Sequence, residues 1–318
     1  MDALSEVLRE VHLTGGVFLH AEFNAPWCIT VQVTHEHCGP VLGGSSHLIP
    51  YHYVVEGIMH VQVEGGEAAV LRAGEILLLP RNDRHTMGSD LALPPASAGE
   101  LIQRSSSGGL ASIRHGGDGA GARMICGFLA CDDFDGNPML SALPSSLTLD
   151  VESGDGADWI RSTFRYAAAE VGAGRPGSEA VLVKLSEVLF VEAVRRHAQS
   201  LPPNETGWLA GLRDPHIARA LALLHRDCAR EWTLDEIGRE VGLSRSVLAD
   251  RFARLIGLPP MQYLAGCRMQ LAARKLRESQ ASLARIAEAV GYESEAAFSR
   301  AFKKTFGAAP ATWRRVQG

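Results

Sequence analysis

The chain has 318 residues, 46% of them hydrophobic, and a net charge of −5, the wrong sign overall for a polyanion partner. That length can bury two cores, one of about 200 residues and one of about 110. No run approaches the ~18 apolar residues of a membrane helix, and Met1 to Glu10 carries Asp2, Glu6 and Glu10 without an apolar stretch, so neither a membrane partner nor a secretory signal is expected and a cytoplasmic protein is. In that compartment the six cysteines are not a disulfide framework.

Between His47 and His85 apolar residues alternate: Tyr51, Tyr53 and Val55, then Met59, Val61 and Val63. The hairpin Glu64-Gly65-Gly66-Glu67 follows, then Ala69, Leu71, a turn at Ala73-Gly74, and Ile76 to Leu79 ending at Pro80. Short strands at this spacing predict a barrel or a sandwich. Pro94 to Ala122 is dominated by Pro, Ala, Ser and Gly and reads as a mobile loop inside this first domain. Cys126 and Cys131 lie on an apolar strand as core filler, and Cys228 and Cys267 read as helix packing.

Residues 157–199 carry two helical patterns. The second, Glu179 to Ala198, sets Leu182, Leu185, Leu189 and Val194 near one face, either as core packing or for pairing with a second copy in a homodimer. Ser200-Leu201-Pro202-Pro203-Asn204 breaks that helix. The expected domains are therefore 1–200 and 210–318, with a linker over 201–209.

Trp232 to Gly257 and Ser282 to Gly307 repeat one pattern. Thr233 with Glu236 three residues on is a capping box. Leu234, Ile237 and Val241 face inward, Gly242 turns the chain, Ser244 caps a second helix, and Leu248 and Phe252 form its apolar face. That leaves Arg245, Ser246, Ala249 and Asp250 outward. The second copy has Ser282 as cap, Leu283, Ile286 and Val290 inward, Gly291 at the turn, Ser294 as the next cap, and Phe298, Phe302 and Phe306 as core, with Glu295, Ala296, Ser299 and Arg300 outward. Matched spacing in both copies predicts tandem helix-turn-helix units, which places double-stranded DNA as the partner. An apolar helix from about Met261 to Arg277 separates them; at 1.5 Å per residue it spans about 25 Å, which suits two successive major grooves.

The charge distribution agrees. Residues 201–318 hold 18 Lys and Arg against 12 Asp and Glu, a net +6, while residues 1–200 are at −11. Arg300, Lys303, Lys304, Arg314 and Arg315 are the phosphate-contact candidates.

On these residues, roughly 210–316 resembles the DNA-binding domain of AraC/XylS-family transcriptional regulators, most specifically through Gly291-Tyr292-Glu293-Ser294 and Phe298-Ser299-Arg300-Ala301-Phe302-Lys303 with Gly307 and Pro310. The resemblance implies base contacts from Ser246, Ala249 and Asp250 in the first unit and Glu295, Ala296, Ser299 and Arg300 in the second, with RNA polymerase as a further partner. Ala249 and Asp250 depart from the long donors common at those positions, so methyl contacts or Arg245 carry more of the first unit's readout.

Gly74 through Pro80-Arg81-Asn82-Asp83-Arg84-His85 resembles the second cupin motif, with Asn82 where Gly is usual. His52-Tyr53-Val54-Val55-Glu56 resembles part of the first, with Pro50 where its first His would stand. The implied architecture is two-domain α+β: an N-terminal cupin-like β-barrel with flanking helices and a C-terminal all-α tandem helix-turn-helix domain. The implied metal set is His52, Glu56 and His85, with His47 as substitute, around a divalent ion such as Zn or Fe. Cys28 and Cys38 are the redox candidates. Cys38 closes the run His35-Glu36-His37-Cys38, a metal site or lowered-pKa thiol against the plainer reading of a polar loop. No nucleophile triad or phosphate loop is present, so no catalytic residue is assigned and a regulator rather than an enzyme is expected. Its signal is a small molecule, a metal or a redox change. A cupin metalloenzyme with a DNA-binding tail stays open beside it.

Overall fold

The computed structural model describes residues 2–11, 13–38, 47–103, 111–131, 136–150, 162–163, 166 and 178–317. Most of the first helical pattern, at 157–177, lies outside the described residues, as do the side chains of Leu182, His37 and Cys38. The chain divides into two compact units, one of 12–134 with 143–197 and one of 1–11, 135–142 and 198–318.

The first unit contains strands β1 (Thr14–Asn24), β2 (Cys28–Val31), β3 (His47–Glu56), β4 (Ile58–Val63), β5 (Ala68–Arg72), β6 (Glu75–Leu78), β7 (His85–Gly88), β8 (Ala96–Ser97), β9 (Ala111–Gly116), β10 (Gly121–Cys131) and β11 (Leu147–Asp150). They form a six-stranded sheet in the order β11-β6-β3-β10-β1-β9 and a five-stranded sheet in the order β5-β4-β7-β2-β8. One apolar core draws on both, with Leu19, Phe23 and Met124 from the first and Ile29, Met59, Val61 and Met87 from the second. The arrangement is a β-sandwich, the form two one-faced sheets take when each buries its apolar side on the other.

The hairpin at Gly65-Gly66 joins β4 and β5, and Met59, Val61 and Val63 point inward while Ile58, His60 and Gln62 face out. In β3 the alternation is lost: every residue from Leu48 to Val54 is buried. The outer face of β3 is covered by the helix Ser178–Ser200, whose Ser186 hydroxyl lies 2.8 Å from the Tyr51 hydroxyl. The expectation of a mobile loop at 94–122 is corrected where that segment is described. Ala96–Ser97 pairs with β2, Ala98–Leu101 is a helical turn, and Ala111–Gly116 runs parallel to β1 with Ile113 buried. Small residues suit this close packing, and composition alone hid the strands.

The second unit is helical. Its first helix, Ala3–Glu10, is capped by the Asp2 carboxylate on the Ser5 amide and packs on Pro215–Arg226. Helices Leu234–Val241, Arg245–Ile256, Pro260–Glu278, Leu283–Ala289, Glu295–Phe306 and Pro310–Gln317 follow. The spatial division thus differs from a cut at 200, because residues 1–11 and 135–142 join the helical unit.

Candidate DNA interface and sandwich cavity

Each helix-turn-helix is built from local chemistry. The Thr233 hydroxyl accepts the Glu236 amide at 3.2 Å while the Glu236 carboxylate accepts the Thr233 amide at 2.8 Å, closing the capping box. These bonds hold the Glu236 carboxyl below its ordinary range, the backbone bond being the larger cause. Gly242 turns the chain at φ +75°, and Ser244 caps the next helix on the Val247 amide. In the second copy Ser282 caps on Arg285, Gly291 turns at φ +79°, and Ser294 caps on Ala297. Ile237, Val241, Leu248 and Phe252 are buried in the first copy and Ile286, Val290, Phe298 and Phe302 in the second.

The outward residues stand where the periodicity put them. Arg245, Ser246 and Asp250 are exposed and Ala249 half-buried, with Arg245 3.5 Å from the Asp235 carboxylate. Glu295, Ala296, Arg300, Lys303 and Lys304 are exposed and Ser299 half-buried. Among the described residues Arg300, Lys303 and Lys304 form no ion pair. Of the other two phosphate candidates, Arg314 donates from Nη2 to the Ala281 carbonyl at 2.7 Å and is half-buried, and Arg315 is exposed. Sequence reasoning missed Arg268, which donates from Nε to Cys228 and from Nη2 to Arg230, both at 2.8 Å, and from Nη1 to Gly291 at 3.1 Å.

Between the two sheets lies a cavity of about 390 Å³. His52, from β3, lines it and meets His85, from β7, with their Nε2 atoms 2.9 Å apart. Their strands belong to facing sheets, so they converge across the sandwich rather than along a ladder. His85 Nδ1 lies 3.1 Å from the Asp83 carbonyl, which only accepts, so His85 carries its proton on Nδ1 and its Nε2 accepts. His52 therefore donates from Nε2 and accepts at Nδ1, and the thiol of Cys126, 3.0 Å away, donates to it. Burial pushes His52 well below the ordinary imidazole range, with His85 adding to the shift, and lowers His85 to about 4; it also pushes the Cys126 thiol up. The relay is uncharged and every valence along it is used.

The four-residue metal set is not brought together, which corrects that expectation. His47 is five residues from His52 on one strand, so the two point to opposite faces, and His47 Nε2 meets the Pro80 carbonyl at 2.7 Å. Glu56 ends β3 exposed and paired with Arg123. Among the described residues no group of three His, Cys, Asp or Glu stands ready to hold an ion. Asn82, in place of the motif's usual Gly, adopts φ +55° and donates from Nδ2 to the Val33 carbonyl at 2.8 Å. Asn is among the few side chains that tolerate that region. Cys28 is buried in β2, where burial and then the Asp90 charge push its thiol up, the reverse of an activated thiol. Cys38 lies in the short helix His35–Cys38, its side chain outside the described residues.

Residues 2–199 match the family described as Cupin, and residues 237–316 match the helix-turn-helix domain family. An AraC-like transcription regulator of Streptomyces lividans is 33% identical over 272 residues, covering 84% of this chain and 87% of that protein. The transcriptional regulator AlkR of Acinetobacter baylyi is 27% identical over 317 residues, covering 99% of each. Among solved structures, a regulator with an AraC-type DNA-binding domain from Chromobacterium violaceum aligns at 25% identity over 33% of this chain and 95% of its own, with a TM-score of 0.32. With its cupin domain followed by a helix-turn-helix domain, the chain belongs to the AraC-like DNA-binding transcription regulators.

Proposed function

We propose that this regulator is controlled by a small molecule held in the sandwich cavity, and that it reads its operator through the outward residues of both recognition helices. The observation that carries the sensing half is the 390 Å³ cavity inside the cupin core, a size suited to a small ligand. For the DNA half, support comes from Arg300, Lys303 and Lys304, exposed on one helix without carboxylate partners among the described residues. Arg245 and Ser246 serve the first unit, beside Ala249 and Asp250; Glu295, Ala296 and Ser299 complete the second.

The relay Cys126–His52–His85 commits both nitrogens of His52, the imidazole that lines the cavity, which favours a binding site over an enzyme's. Among the described residues no helix is long and apolar enough to cross a membrane, and the place of work in this reading is the cytoplasm, with RNA polymerase downstream. Pairing of two copies belongs to the same reading.

The test is a thermal-shift screen of the full chain against a diverse panel of small molecules, with Ala98→Phe as a filled-cavity control, since Ala98 is buried and lines the space. Compounds that shift the native protein, spare the filled variant and alter operator affinity support the reading. If every active compound acts equally on both proteins, the signal enters elsewhere.

A further inference from the structure

We propose that the cavity is a site for a small amphiphilic monocarboxylate, its apolar body directed into the sandwich and its carboxylate on Arg84; this rests on reading the cavity as the sensing site. The inner wall is built from Leu19, Phe23, Ile29, Met87, Ile113 and Met124, all buried. The polar side chains set among them, His52 and Cys126, are already committed; Thr34 and Ser97 also line the cavity. His52 uses both ring nitrogens, and the Cys126 hydrogen is donated to it. A hydroxyl or amide pushed against His52 and Cys126 finds no partner there, and an unmet polar group in such a place costs about 1–3 kcal/mol. A sugar, which would bring several hydroxyls, is disfavoured against that wall.

The other end differs in kind. Thr30 and Gln32, on β2 and just after it, line the cavity beside Arg84, which precedes β7. Arg84 Nε donates to the Thr30 hydroxyl at 3.1 Å, which fixes the stem of the guanidinium. Among the described residues Arg84 has no carboxylate within ion-pair distance, and no Asp or Glu lines the cavity. A guanidinium held by Nε still offers its Nη edge, the edge that receives a carboxylate in two parallel hydrogen bonds. The ligand therefore carries one anionic head and an apolar remainder. At about 30 Å³ per water-sized group, the 390 Å³ cavity admits a molecule of about a dozen non-hydrogen atoms.

The experiment is isothermal titration calorimetry on the full chain with three probes: octanoate, 1-octanol and glucose. Octanoate is expected to bind at least tenfold more tightly than 1-octanol, and glucose not at all. Arg84→Gln, at an exposed position, is expected to bring octanoate down to the level of 1-octanol and leave 1-octanol unchanged. Ala98→Phe is expected to block both; Ile102→Trp, also on the lining, replaces it if that protein does not fold. Equal affinities in the native protein, a preference that survives Arg84→Gln, or no octanoate binding at millimolar concentration each overturn the proposal. Glucose binding that the filled variant abolishes overturns the ligand class but leaves the cavity as the sensor. Octanoate binding that neither filled variant reduces overturns both.

Discussion

Arg268 and Gly291 are joined through a hydrogen bond of 3.1 Å from the guanidinium to the turn carbonyl. The same side chain holds the carbonyls of Cys228 and Arg230, just ahead of the first helix-turn-helix. One residue on the intervening helix Pro260–Glu278 thus ties the entry of one DNA-reading unit to the turn of the other. Arg268→Ala should lower stability by about 2 kcal/mol, since hydrogen bonds to a charged group contribute more than neutral ones. Urea denaturation of the full chain measures this. If Arg268→Lys retains full stability, the three-carbonyl clamp is not what matters, because one ammonium cannot reproduce that fork.

The two turn glycines should respond differently to a methyl group. Both have positive φ, so alanine is strained at either by about 1–2 kcal/mol. At Gly242 the added Cβ meets nothing within 4 Å, whereas at Gly291 it runs into the Ala229 carbonyl and the Arg268 guanidinium. Gly242→Ala should therefore cost only the backbone strain, and Gly291→Ala clearly more. Equal losses in chemical denaturation would remove Arg268 and Ala229 from the account.

On DNA, Arg300→Ala should weaken binding to the operator by about 1–3 kcal/mol with a smaller effect on random sequence, as for a base-reading arginine. Lys303→Ala and Lys304→Ala should weaken all sequences alike and each reduce the salt slope by about 1. Mobility-shift titrations at several salt concentrations separate the two kinds of contact. A uniform loss for Arg300→Ala would move it to the phosphate group.

Acid should loosen the sandwich. His85 in the folded state has its pKa lowered to about 4, below the ordinary imidazole value, and His52 is lowered as well. Between the two values the unfolded chain binds more protons than the folded one. The contribution is therefore complete above about pH 6.5 and is lost as pH falls toward 4. For His85 alone it amounts to about 3 kcal/mol. The double variant His52→Leu, His85→Leu should flatten the pH dependence of urea stability across that window. An unchanged slope would mean that other groups produce it.

What the sequence disclosed follows the range of the interactions. Capping boxes, cap serines and turn glycines act over three or four residues, so Thr233 with Glu236, or Ser294 ahead of Phe298, are written in adjacent letters. Arg268 reaches carbonyls 23 to 40 residues away, and backbone oxygens have no letter of their own. His52 and Cys126 are 74 residues apart, so their bond left no trace that separates it from a strand cysteine in the core. The motif around His52 and His85 did locate the cavity. It misled about His47 and Glu56, although strand parity alone already set His47 on the opposite face from His52.

The helix Ala3–Glu10 buries Ala3, Leu4 and Val7 and packs on Pro215–Arg226 within the helical unit. For anyone handling the protein, its first ten residues are therefore a component of the DNA reader contributed from the far end of the polypeptide. A fragment cut to begin near residue 205 lacks that component and bares the apolar surface it covered, so poor solubility in such a fragment would report a missing piece and not a weak domain. An affinity tag ahead of Asp2 adjoins the helix that packs on Pro215–Arg226, and a tag after the last helix is the less intrusive choice only if Arg315 and its neighbours prove idle on DNA.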